Sequence, residues 1–194
     1  RGRWFFRLAF FAPFILPSAV MALIWIWIYT PGLGILETAL GKIGITSPNW
    51  LGDASWAMPS LGIATVWWTL GFNFILYLAG LQDIPTELYE AAKVDGASSF
   101  DLFRHITVPM LASLYLVCTL LSSIWALGDF NAVRFISGGG PALSTHVLAT
   151  LGIRNAFEIG NPPLGMATVL SALPLLIPLV ILLMRQLKRG QVQL

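Results

Sequence analysis

Charge is scarce in this sequence. Only 10% of its 194 residues are Asp, Glu, Lys or Arg, against about a quarter in an ordinary soluble domain. The chain therefore lacks the polar surface that would coat it in water. A formal net charge of +2, from 11 basic and 9 acidic groups, excludes a strongly basic nucleic-acid surface. The single cysteine, Cys118, rules out an internal disulfide; it lies in an apolar run, where a thiol packs as a small apolar group. There is no His-Glu-x-x-His pair and no Gly-x-Ser-x-Gly elbow. No catalytic residues, no metal and no cofactor are expected.

What remains is apolar. Hydrophobic residues make up 57% of the chain and mean hydropathy is +0.79. Four runs, 8–29, 57–81, 110–127 and 164–184, contain no Lys, Arg, Asp or Glu. Each is close to the ~20 residues that a ~30 Å hydrocarbon core demands. Pro13, Pro17, Pro59, Pro174 and Pro178 fall in them; a bundle tolerates such breaks because neighbours re-satisfy the freed carbonyls. "RGRWFFR" before "LAFFAPFILP" imitates a signal peptide, but the apolar run is too long and ends in "IWIWIYTPGLG" without a small-residue cleavage site. The prediction is all-α: a polytopic membrane helical bundle, one domain over 1–194 with no linker and no internal repeat.

Orientation follows from the Lys and Arg count. Arg1, Arg3, Arg7, Lys93, Arg104, Arg185, Lys188 and Arg189 flank one side, against Lys42, Arg134 and Arg154 on the other. Eight against three places both termini and the 83–109 loop in the cytoplasm. His105 and His146 then fall on opposite sides and cannot share a metal.

The loop is the most polar stretch. Pro85 suits a first helical turn, and Glu87 stands near the positive end of the dipole. Leu88, Ala91 and Ala92 form a small apolar stripe, Lys93 lies near the C-terminus, and Gly96 is placed for a left-handed stop. Ser98 and Asp101 give a capping-box spacing for a second short helix, and Pro109 opens the next apolar run. The segment reads as a helix–glycine–helix elbow at the membrane surface. It either seats in a protein groove or rests on headgroups.

"EAAKVDGASSFDLFRHITVP" (90–109) resembles the EAA loop of permease subunits in binding-protein-dependent ABC importers. Glu90, Ala91, Ala92, Gly96, Ile106 and Pro109 fall in register with that signature; Val108 stands where the pattern has Leu. "GGGPALSTHVLATLGIRNAF" and the stretch around "WWTLGFNFILYLAGLQDIP" resemble the carbohydrate-uptake branch, the maltose-type and glycerol-phosphate-type importers. The resemblance covers essentially the whole chain. It implies a type I importer permease fold and a bacterial or archaeal plasma (inner) membrane. Similar permeases carry six core spans, so two upstream spans are expected to be missing here; the chain also begins without Met.

The family implies partners: a second permease subunit, two cytosolic ATP-hydrolysing subunits and an external solute-binding protein, all working on a sugar-like solute across the lipid bilayer. The six loop residues would couple to the ATPase. Gly138, Gly139, Gly140 and Pro141, in a loop expected to be flexible and external, would contact the binding protein. Those glycines lack the strand-before, helix-after setting and the Lys-Ser/Thr ending of a phosphate-binding loop.

A sugar asks for hydroxyl partners and an aromatic face. Thr65, Trp68, Thr69 and Phe72 recur on one face of the second run, and Ser122, Trp125 and Asp129 follow suit on the third. These seven are the expected substrate pathway, with ordinary helix packing as the alternative for each. Asn73 turns away from the Trp68 face and suits interhelical bonding. Importers of an amino acid, a peptide or an anion share the EAA loop and stay open as alternatives. An ion-coupled transporter would carry ionisable groups within its spans, and none is there.

Overall fold

The computed structural model describes residues 2–191. Among them the chain is helical with no strand. The first apolar run forms two helices, α1 (Arg3–Ile15) and α2 (Ser18–Tyr29). They meet at a bend of 102°, so the 8–29 run is built as two helical arms rather than one straight helix. Pro17 has no amide hydrogen to continue the ladder and biases Leu16 towards extended backbone, which is what Leu16 adopts (ψ 135°).

A short α3 (Ile35–Lys42) and a turn lead into α4 (Ala54–Gln82), capped by the Asp53 carboxylate on the Ser55 amide. α4 is long and apolar enough to cross a membrane, as is the continuous stretch Pro162–Arg185. Pro59 stands in its second turn, where few ladder bonds are lost.

After α4 comes the polar loop: α5 (Thr86–Val94), α6 (Ser99–Leu102), a π turn (Phe103–Thr107) and α7 (Val108–Met110). α8 (Ala112–Leu127) follows at a bend of 60°. α9 (Phe130–Ile136) and α10 (Leu148–Ile153) flank the glycine loop, and a second π turn (Arg154–Glu158) precedes α11 (Pro162–Leu170) and α12 (Leu173–Gln191).

Small residues set the close contacts, as expected where dispersion rather than water drives helix association. α1 crosses α4 at Gly71, where a Cβ would stand 2.7 Å from the Phe10 carbonyl oxygen. α10 meets α11 at Gly152 and Gly165; a Cβ on Gly165 would stand 2.7 Å from the Gly152 carbonyl oxygen. Asn155 adds a 2.9 Å bond from its amide to the Thr168 hydroxyl. The core joins Met21, Ala22, Trp25 and Tyr29 of α2 to Leu61 and Ala64 of α4 and Ala132, Val133 and Ile136 of α9. The buried Tyr29 hydroxyl donates 2.8 Å to the Ser60 carbonyl. α8 lies against α12.

Candidate functional site: a cleft, a loop and a polar elbow

A cleft of about 560 Å³ opens between α4, α8 and the start of α9. Thr65, Trp68, Thr69, Ser122, Trp125 and Asp129 all line it, so six residues read from the sequence converge on one space. Phe72, the seventh, supports rather than lines it: its ring packs on Trp125 at 5.0 Å between centroids and on Phe14 at 5.5 Å. Phe14, Val66 and Asn131 also face the cleft and were not read from the sequence. Phe14 arrives there through the α1–α2 bend; the signal available was Pro17. Asn131 stands two positions past Asp129 and could have been found by extending that polar face.

The hydroxyls of the cleft are not equivalent. Thr69 Oγ1 donates 2.9 Å back to the Thr65 carbonyl, so it is engaged by its own helix. Thr65 Oγ1 is buried without a protein partner, a state that costs free energy until something bonds to it. The Asp129 carboxylate caps α9 through Oδ1, which accepts from the Ala132 amide at 3.1 Å. Burial pushes this carboxyl above its usual range, against the lowering effect of that amide.

A second hollow continues from the first along α4 and α8, sharing Ser122 and Ala126 with it. It is lined by Asn73, Tyr77, Cys118, Thr119 and Ser123. Asn73 lines this second hollow and not the cleft, and its amide bonds 3.4 Å to the Thr69 carbonyl of its own helix.

The glycine loop is tied rather than loose. Thr145, fully buried, donates 2.8 Å to the Gly140 carbonyl and bonds the Ser137 hydroxyl at 2.8 Å. Gly138 and Gly139 take positive φ of 61° and 89°, which glycine alone adopts freely. The His146 ring lies where a Gly139 side chain would be, and its Nδ1 is 3.0 Å from the Thr150 hydroxyl. Burial holds this imidazole below its ordinary pKa; Arg154 and Arg134 add to the shift and Glu158 opposes it. Glu158 bonds Arg134 at 3.1 Å and lies 3.9 Å from Arg154.

In the polar elbow, Pro85 caps α5 from outside instead of opening its first turn. Gly96, at φ 85°, closes a Schellman stop: the Ala97 amide donates to the Ala92 carbonyl at 2.9 Å and the Gly96 amide to the Lys93 carbonyl at 3.1 Å. Ser98 and Asp101 complete the expected capping box. The Ser98 hydroxyl and amide hold the Asp101 carboxyl below its usual range. α5 buries no side chain; Glu90 and Ala91 are exposed, Ala92 and Ile106 half-buried, Gly96 and Pro109 exposed. Val94 is 88% exposed and Phe100 66% exposed, apolar surface outside any long apolar run.

Comparison with known proteins agrees with this architecture. Residues 1–190 match the family described as the binding-protein-dependent transport system inner membrane component. A probable ABC transporter permease of Bacillus subtilis, YurN, is 37% identical over 183 residues, covering 93% of this chain and 62% of its own length. The trehalose/maltose transport system permease MalF of Thermococcus litoralis is 36% identical over 167 residues, covering 86% of this chain and 56% of its own. The chain thus spans roughly three-fifths of these relatives. A bacterial alginate ABC transporter, solved in complex with an alginate pentasaccharide-bound periplasmic protein, superposes with a TM-score of 0.80 at 20% identity. The match covers 95% of this chain and 63% of that one, and it establishes a shared fold. With nearly its whole length matched, the chain belongs to the family of inner-membrane permease components of binding-protein-dependent ABC transport systems.

Proposed function

We propose that this chain forms half of the translocation pathway of an ATP-driven importer for a sugar or sugar-like solute. The cleft carries the reading: two tryptophans beside an unsatisfied threonine hydroxyl, a serine and a carboxylate supply the stacking face and hydrogen-bond partners a sugar needs. Among the described residues Asp129 is the one ionisable group lining it and no cation does, which favours an uncharged solute over an anion. Relatives named for trehalose/maltose and diacetylchitobiose uptake support the same class.

In this reading the 83–109 loop faces the cytoplasm and α5 seats on a separate ATP-hydrolysing subunit. Ala91 and Ala92 allow close approach, Glu90 meets a cation of that partner, and exposed Val94 and Phe100 are covered by it. A second permease subunit supplies the other half of the pathway, two ATPase subunits supply the energy, and an external solute-binding protein meets the 138–141 loop. ATPase closure then switches the bundle between inward- and outward-facing states. The chain's own part is transport, in a bacterial or archaeal inner membrane with both ends of this segment cytoplasmic.

The test is to co-express the full-length permease with its genomic partners and replace Glu90 by Ala and Gly96 by Ala in turn. Gly96→Ala forces a side chain into left-handed backbone at a cost of roughly 1–2 kcal/mol. ATPase co-purification and binding-protein-stimulated ATP hydrolysis are expected to fall while membrane insertion persists. Full retention of both would reduce the loop to a surface connector.

A further inference from the structure

In the coupling role given above the elbow has to transmit displacement, yet its helices are short and little of it is packed. α5 buries no side chain, the chain reverses at left-handed Gly96, α6 is a single turn, and the segment from Phe103 to Thr107 is π-helical. A push on α5 that had to travel along this backbone would be absorbed at the glycine and at the π turn. One contact bypasses both. The Tyr89 hydroxyl lies 2.9 Å from the Thr107 hydroxyl, 18 residues along the chain. Thr107 Oγ1 is also placed to donate to the Leu102 carbonyl at 3.4 Å, which leaves Tyr89 as donor in the shorter bond. Tyr89 and Thr107 are both half-buried, unlike Glu90 beside the tyrosine. Thr107 immediately precedes Val108–Met110 and the 60° bend into α8, which carries Ser122 and Trp125.

We propose that the Tyr89–Thr107 hydrogen bond is the strut that carries motion of α5 to the foot of α8, making Tyr89 and Thr107 positioning residues for coupling. The proposal rests on the coupling role given to the loop above. The bond closes a triangle of α5, α6 with its π turn, and the line joining the two hydroxyls. A closed triangle rotates as a body, whereas the open chain folds at its hinges.

The experiment uses the complete transporter, reconstituted with its ATPase, companion permease and binding protein. Tyr89→Phe keeps the ring and removes the hydroxyl; Thr107→Val keeps the shape and removes the hydroxyl; Thr107→Ser restores it. ATPase co-purification and basal hydrolysis are expected to stay at wild-type level in all three. Stimulation by the solute-loaded binding protein should fall roughly threefold to tenfold in Tyr89→Phe and Thr107→Val, the factor one hydrogen bond supplies. It should return in Thr107→Ser, and the double variant should be no worse than either single one. Unchanged stimulation, additive losses, or a loss that tracks ATPase release would overturn the strut. A wild-type complex that neither retains the ATPase nor responds to binding protein would overturn the coupling reading as well. A responsive wild type with unaffected variants sinks the strut alone.

Discussion

The Trp68 indole N–H donates 3.0 Å to the Leu16 carbonyl, across 52 residues of chain. This acceptor is the one the α1–α2 break sets free. Past the break the Val20 amide turns to the Pro17 carbonyl at 2.9 Å, leaving the Leu16 oxygen without its helical donor. A residue of the cleft thereby ties down the 102° bend, and Phe14, on the arm before it, also lines the cleft.

Trp68→Phe therefore separates two roles. The ring still walls the cleft, but a half-buried carbonyl loses its partner, which costs about 1–3 kcal/mol. Thermal unfolding of the purified permease in detergent should show the loss, and an unchanged midpoint would mean that water or lipid replaces the indole.

Gly71 and Gly62 stand on the same helix and predict opposite outcomes. A Cβ at Gly71 would lie 2.7 Å from the Phe10 carbonyl oxygen and 2.9 Å from Phe11 Cα, both backbone atoms that can yield only by moving α1. Gly71→Ala should destabilise by about 1–3 kcal/mol. Gly62 has open space around it, so Gly62→Ala should be neutral or stabilise by up to ~1 kcal/mol through helix propensity. Equal effects in a thermal-shift comparison would refute the α1–α4 contact.

Trp125 is the exposed aromatic of the cleft and leans on Phe72. Trp125→Ala should lower solute uptake by proteoliposomes roughly tenfold, equivalent to about 1.4 kcal/mol, with ATPase assembly intact. Asp129→Asn keeps an oxygen to cap α9 and should alter uptake without unfolding the helix. Uptake insensitive to both changes would move the pathway elsewhere.

His146 predicts a pH response of the glycine loop. Its pKa in the folded loop is held below the ordinary 6.5 by burial first and Arg154 next. Protonation is therefore disfavoured in the closed loop relative to the open one. Closure is at full strength above 6.5 and weakens as pH falls from there towards the depressed folded value. NMR titration of the two histidine rings should give His146 a midpoint below 6.5, and amide protection at 138–146 should fall over the same range once corrected for intrinsic exchange. A His146→Gln variant should lose that pH dependence.

Much of this is legible in the sequence alone. Charge-free runs marked the long helices, and hydroxyl and aromatic residues at three- and four-residue steps marked a face. Six of the seven residues on those faces meet in one cleft because helical periodicity is a local property. Gly96 and the Ser98–Asp101 box were legible for the same reason, since backbone chirality and capping act within a few residues. The α1–α2 corner was not. Pro17 sits in an apolar run that hydropathy reads as continuous, and what fixes the angle, Gly71 and Trp68, lies far along the chain. Nor was the closure of the glycine loop by Thr145, a hydroxyl whose partners only the folded turn brings near.

The corner also bears on the order of events during synthesis. An insertion machinery that weighs hydrophobic length meets 8–29 as one acceptable crossing. Neither arm alone, at about 20 Å each, reaches through a ~30 Å hydrocarbon layer. The groove at Gly71 and the indole at Trp68 do not yet exist when that segment leaves the ribosome. The Pro17 break is local to that run, but its 102° angle is expected to be set only once α4 has followed it in, so that later synthesis reshapes an earlier product. Nascent chains truncated before and after Trp68, mapped by glycosylation of an engineered acceptor in the 30–34 turn, should show the acceptor change depth between the two lengths.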